Sequence, residues 1–335
     1  MRIDPALQAL RGDPAPQRQA QAAMLNAADG WRDSSEGRAL SAAMDAYAGG
    51  TELSACAYLA QIFASHASAF GFAEMFIGRF MPVLARNPLG VVPARYSMNG
   101  PVATMVLAGR ANVTLSLVSF CSGADHDAPK AASATFADGE RHEAVLTGSA
   151  QVRHVERAPD TGQARGSGRI TVRSGTLAAG EMLAMDTGRR ALLVDRVPDH
   201  LLTLRLVRTR SALHPTCEYD LESGKLLHQS AADADTSGRE LKLALLGRMQ
   251  RAEAAPVIAQ VALRNDQPDH LRWQALREAL ALDTREGFLT LCAVAREPAD
   301  SLAGPAGALR AQLLESYPVL ASLTGKEEAE QCPVS

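Results

Sequence analysis

Residues 142–155 read HEAVLTGSAQVRHV. Apolar and β-branched residues run on both sides of Gly148-Ser149, and a two-residue link containing glycine between such runs is a hairpin signal. A turn centred there puts His142 across from His154 on neighbouring strands, a placement from which two imidazoles can hold a metal. The plainer reading is two surface histidines at the open ends of a hairpin. A metal would also need a third ligand and polar groups to orient the rings.

The surrounding sequence has the same character. From 91 to 232, short β-prone runs such as NVTLSLVSF, GRITVRSG, RALLVDRV and LLTLRLVR alternate with turn signals such as ADGE, DTGR and ESGK. No helical segment separates them, which argues against parallel βαβ units and for a closed antiparallel barrel or jelly roll. In LLTLRLVR the alternation puts Leu202, Leu204 and Leu206 on one face.

Helical patterns flank this region. Residues 14–90 carry alanine-rich segments ending in glycine, then an apolar stretch at 56–84 with a 3.6-residue period. That stretch predicts one amphipathic helix, bent near Gly71, burying a Phe70/Phe76/Phe80 stripe with His66 as a satisfied core residue. Residues 237–320 read as successive amphipathic helices that resemble HEAT-type pairs. Leu241, Leu245 and Met249, then Val257 and Val261, then Leu271, Leu276 and Leu280 are expected to pack between neighbours. Arg272 and Trp273 are residue types that anchor interfaces, although Trp273 equally suits a core. The expected organisation is a helical region at 1–90, a β domain at 91–236, a helical region at 237–323 and a polar tail at 324–335. The fold class is α+β, an antiparallel jelly-roll barrel between two helical regions.

Residues 177–197, LAAGEMLAMDTGRRALLVDRV, carry a family resemblance. Gly180-Glu181 followed by Gly188 resembles the second motif of the cupin superfamily, and Val145, Leu146 and Gly148 resemble the hairpin part of its first motif. The resemblance covers under half of the chain and implies a small β-barrel. It stops at the metal ligands. Ala191 stands where the family's second-motif histidine would be, Asp186 stands at the proline position, and the upstream KAASATFADGER contains no histidine pair. Alanine offers no lone pair, so the family's metal-binding residues do not transfer to this chain. No cofactor is expected. The alternative is iron, manganese or zinc held through His142 and His154.

Two other constellations stand out. In CEYDLESGKLLHQS a two-residue turn at Ser223-Gly224 would face Tyr219 toward His228 with Cys217 on the same side, either an acid–base pair or an ordinary hairpin face. Around the turn MDTGRRALLVDR, Asp186, Arg189 and Arg190 flank the expected barrel mouth, where arginines can clamp a carboxylate or phosphate; solvated turn charges are the plainer reading.

Composition bounds the rest. The 335 residues are 47% hydrophobic, enough for a sizeable core. Aromatics are 4% and the net charge is −3, which argues against a nucleic-acid platform. Five cysteines are scattered without CxxC spacing. Residues 56–84 are the most apolar, but Gln61, His66, Glu74 and Arg79 interrupt them, so no membrane span is expected. A cytoplasmic protein is expected. Phosphate-loop, dinucleotide, zincin and nucleophile-elbow motifs are absent, and the glycine-rich 162–168 reads as a loop. The expected function is a binding or regulatory protein that holds a small molecule or peptide in its barrel and contacts a protein partner or itself through the helices. The alternative is an enzyme working through His142/His154 with metal, or through Tyr219/His228 without it.

Overall fold

A computed structural model describes residues 12–122, 130–158, 169–210 and 214–323. The glycine-rich 162–168 and the tail at 324–335 lie outside them. The chain divides into two compact units, one spanning Met1–Arg210 with Glu218–Leu227, the other Ser211–Cys217 with His228–Ser335.

Among the described residues the first unit opens with the helices α1 (Ala15–Arg32), α2 (Ser35–Ala48), α3 (Ala57–Ile62) and α4 (His66–Arg86). Serine caps fix two of the starts. The Ser34 hydroxyl accepts from the Gly37 N–H at 3.0 Å and that of Ser65 from the Ser68 N–H at 3.1 Å. The expected single helix over 56–84 is therefore two, broken at the Ser65 cap, and Gly71 lies inside α4. The buried stripe of α4 is Phe72, Phe76 and Phe80, spaced by four; Phe70 is 38% exposed. At 100° per residue, Phe70 stands far around the helix from Phe72. His66 bonds the Leu146 carbonyl through Nε2 at 3.1 Å, a satisfied histidine as expected. By length and composition α4 is one helix that could cross a membrane, with mean hydropathy 1.2.

Eleven strands follow among the described residues: β1 (Arg95–Asn99), β2 (Val102–Arg110), β3 (Val113–Cys121), β4 (Ser133–Phe136), β5 (Gly139–Arg157), β6 (Ile170–Ala178), β7 (Met182–Asp186), β8 (Arg190–Arg196), β9 (His200–Thr209), β10 (Thr216–Asp220) and β11 (Leu226–Ser230). β11, β10 and β4 form a small sheet. The other eight form one antiparallel system in the order β1-β2-β3-β9-β5-β6, with β7 and β8 also on β5.

β5 overturns the expected hairpin. Its 19 residues run straight through Gly148-Ser149 as one strand. Up to Gly148 it lies between β9 and β7; beyond it, between β6 and β8. Gly148 is the corner between these two layers. Its φ is +81°, and the register with β9 slips between Val145 and Thr147. A Cβ there would stand 1.9 Å from the His200 carbonyl oxygen, so only glycine fits. The β6–β7 turn is stitched onto the same corner: Val145 N–H donates to the Glu181 carbonyl at 2.9 Å and Gly180 N–H to that of Val145 at 3.0 Å. The motif residues Val145, Leu146, Gly148, Gly180 and Glu181 thus meet at one structural feature. The expected closed barrel is not found. No pairing joins the terminal strands β1 and β6 among the described residues.

The helices cover one face of the first layer. Val113, Leu115 and Leu117 of β3, Ala144 and Leu146 of β5, and Leu204 and Leu206 of β9 share a core with Trp31, Met44, Phe72 and Phe76. Period-two alternation supplies each strand's contribution. The expected boundary at 90 therefore falls inside one unit. On the other face, Val145 and Leu201 from the first layer meet Ala150, Val152 and Leu177 from the second.

The second unit carries α5 (Ala234–Arg248), α6 (Ala255–Leu263), α7 (Asp269–Leu282), α8 (Thr284–Arg296) and α9 (Ala303–Ser316). Asp233 and Asp283 cap α5 and α8. Ile258, Leu271, Leu276, Phe288 and Leu291 build its core. Two expectations are corrected here. Leu241, Leu245, Met249 and Val257 face outward, 70%, 54%, 53% and 65% exposed, while Leu243 and Leu246 of α5 pack on the core. Helix α5 has leucines on several sides, so its periodicity does not choose a face. Arg272 is no surface anchor. It is 2% exposed, its guanidinium bonds both Asp300 carboxylate oxygens at 3.0 and 2.5 Å, and its Nε donates to the Ala262 carbonyl at 3.0 Å. Trp273 is half-buried against the same core.

Candidate functional site

The face of the first layer away from the helices carries a buried charged cluster. Glu143 pairs in register with Arg205 on β9 and Leu183 on β7, and Arg141 with Met185 on β7, so these side chains share that face. Glu143 is 1% exposed. One carboxylate oxygen accepts from Arg205 at 2.9 and 3.2 Å, the other from Arg141 Nε at 2.6 Å. Burial alone would push the Glu143 carboxyl up, but Arg205 and then Arg141 outweigh it and hold the pKa below its ordinary value. Two guanidinium groups against one carboxylate leave the cluster with one excess positive charge.

Beside this cluster lies a cavity of about 200 Å³, lined by Leu183 and Met185 from β7 and by His154, Glu156, Arg173 and Arg190 from the second layer. Register explains the convergence. His154 pairs with Arg173 on β6, and Glu156 with Arg190 on β8, so all four follow Val152 along one face, where Val152 is buried and these four are exposed to solvent. Among the described residues, Arg173 and Arg190 are engaged in no side-chain hydrogen bond or ion pair. Ala191, standing where the resemblance puts a metal histidine, also lines this cavity. No group of three His, Cys, Asp or Glu side chains placed to share a metal occurs among the described residues.

The other expected site residues separate. His142 and His154 lie twelve residues apart on one strand, on either side of the Gly148 corner. They also face opposite sides, because the extra residue at the Gly148 corner reverses the alternation: Ala144 and Leu146 face the helices, whereas Ala150 and Val152 face inward. They cannot share a metal. His142 is packed near Phe63, its Nε2 has no hydrogen-bond partner and stands 4.0 Å from a Glu140 carboxylate oxygen, and burial lowers its pKa. Its neighbour Glu140 accepts from the Tyr47 hydroxyl at 2.7 Å and pairs with Arg208, whose guanidinium lies 4.0 Å over the Tyr47 ring. These residues tie α2 to the sheet.

Of the three expected clamp residues, only Arg190 reaches the cavity. Asp186 accepts from the Gly188 N–H at 2.9 Å and pairs with Arg210 at 3.3 Å, holding the β7–β8 turn. Arg189 is exposed beside it. Tyr219 and His228 are not brought face to face. Asp220 N–H bonds the Lys225 carbonyl, which closes a longer turn than expected and sets Tyr219 opposite Leu226. Tyr219 is buried, 5.9 Å from the Phe136 ring and under the Arg157 guanidinium; His228 is exposed. Arg141, Glu156, Arg173 and Arg205 went unread in the sequence. Their only signal is alternation within GERHE, VRHVER, ITVRSG and LLTLRLVR, and it becomes legible only once the corner at Gly148 is known.

No family model matches the chain, and no curated protein matches it. Among solved structures it is similar to a cupin superfamily protein from Desulfitobacterium hafniense, at 14% identity over 34% of this chain and 83% of that one, TM-score 0.23. It is similar to KdgF from Halomonas sp. at 14% identity over 35% and 89%, TM-score 0.24. It is also similar to the Drosophila melanogaster CENP-C cupin domain at 12% identity over 35% and 77%, TM-score 0.25. At these scores the likeness transfers no activity, ligand or partner to this chain.

Proposed function

We propose that this protein binds a small anionic molecule in the cavity between its two sheet layers. The observation that carries the reading is the uncommitted pair Arg173 and Arg190, set around about 200 Å³ with Leu183 and Met185 as the apolar wall. Guanidinium groups free of protein carboxylates are suited to bidentate recognition of a carboxylate or phosphate. The volume is below the roughly 300–1,000 Å³ that takes drug-sized ligands, which favours a compact acid over a peptide. His154 and Glu156 give the ligand's hydroxyl or amide groups a donor and an acceptor. The helical second unit, with its outward leucines, serves a protein partner. A binding role is favoured over the two expected catalytic pairs, because Tyr219 and His228 are not set face to face and His142 and His154 point to opposite faces.

The test is calorimetric titration with a panel of small anions: succinate, citrate, glucuronate and inorganic phosphate. At least one member should bind, and Arg173→Ala/Arg190→Ala should abolish its heat while leaving the melting temperature near that of the parent. If no member binds, or if the double variant binds as well as the parent, the reading fails.

A further inference from the structure

A second cavity, of about 380 Å³, lies in the helical layer between α1, α2, α4 and strand β2. Its floor is apolar and aromatic. Trp31, Met44, Phe76 and Phe80 are each at most 6% exposed, and Trp31 stands edge-on to Phe76 with ring centroids 5.2 Å apart. Its sheet-side wall is β2 at an irregularity, where the register with β3 slips between Val106 and Ala108. Such bulges re-aim side chains and recur next to binding sites.

The rim is basic. Arg32, Arg38 and Arg110 line it, and the Arg95 guanidinium lies 4.0 Å from where a Cβ on the lining residue Gly109 would stand. Two of these are committed: Arg32 to Asp29 at 2.7 Å, and Arg110 to Asp45 at 3.0 Å and to the Ser41 hydroxyl at 2.7 Å. The side chains of Arg38 and Arg95 have no hydrogen bond or ion pair among the described residues. An apolar floor with unneutralised guanidinium groups at its solvent edge matches one chemistry: an apolar body ending in an anion. A neutral apolar ligand would leave the arginines unused, and a compact hydrophilic anion would leave the aromatic floor unused.

We propose that this cavity is a second binding site, for an amphipathic carboxylate, with its hydrocarbon body on the Trp31–Phe76–Phe80 floor and its carboxylate on Arg38 and Arg95. It is independent of the cavity between the sheet layers.

Trp31 provides the readout. The chain has two tryptophans, so Trp273→Phe leaves Trp31 alone on the cavity floor. In that background, titration with decanoate should change Trp31 emission saturably, and decan-1-ol at the same concentrations should not. Arg38→Glu, at an exposed position that leaves the core intact, should weaken decanoate at least tenfold. Arg173→Ala/Arg190→Ala should leave it unchanged, which separates this site from the other. No saturable response to decanoate overturns the site. An equal response to the alcohol, or an affinity indifferent to Arg38→Glu, overturns the anionic recognition on which the proposal stands.

Discussion

Gly148→Ala should be among the most damaging methyl additions in the first unit. Two costs combine at this position. The backbone stands at φ +81°, where an L-residue loses about 1–2 kcal/mol against glycine. The new methyl would also stand 1.9 Å from the His200 carbonyl oxygen and 3.1 Å from the Leu201 Cα, both backbone atoms of β9. No rotamer relieves that contact, so β9 must shift where Leu201, 1% exposed, seals the inter-layer core. Overpacking of this kind costs about 1–3 kcal/mol, giving a total of roughly 2–5 kcal/mol. Urea unfolding followed by far-ultraviolet circular dichroism measures it. Gly175→Ala is the control, because its Cβ would meet only side chains, the His154 ring at 3.4 Å and Val152 Cγ2 at 3.9 Å. The sharper comparison replaces Gly148-Ser149 by Asn-Gly, the preferred two-residue hairpin link. A continuous strand predicts a loss at least as large as that of Gly148→Ala; a hairpin predicts tolerance. A stable Asn-Gly variant would refute the corner and with it the two-layer arrangement.

Three further outcomes follow from the same structure. Phe76→Ala should cost about 3–5 kcal/mol and Phe70→Ala far less, a contrast read by thermal melts that fails if the two are equal. Arg272→Met strands the buried Asp300 carboxylate and should cost about 3–5 kcal/mol, whereas Arg272→Met/Asp300→Leu should recover most of it; a single variant near neutral would show that the pair is not buried as described. For pH, Glu143 and Glu140 are held below 4.5 in the folded chain, so their stabilisation is present above that value and is lost as pH falls through the folded values. His142 is depressed below 6.5, so the unfolded chain takes up its proton first and stability already declines below about pH 6.5. The urea midpoint should fall between pH 7.5 and 5.5, and His142→Gln should flatten that fall. An unchanged slope in the variant would exonerate His142.

The sequence determined the order of helix, antiparallel strand and helix, because the switch from a 3.6- to a two-residue period is local and survives without neighbours. The corner residues Val145, Leu146, Gly148, Gly180 and Glu181 also stand out in the sequence, as the ones that carry the family resemblance. It could not determine what Gly148 does. A glycine at positive φ serves a hairpin turn and a strand bulge alike, and only the His200 carbonyl pressed against it decides between them. That choice reverses the facing of every residue after it, sending His154, Glu156 and, through their partners, Arg173 and Arg190 to the face that carries Val152 while His142 goes to the helices. The same limit holds in α5 and α7. Leucines on several sides of α5 leave its buried face open, and the sequence of α7 gives no sign that Asp300, 28 residues on, will draw Arg272 into the core. Local pattern fixes what each segment becomes; which side of it meets solvent is fixed by partners distant in the chain.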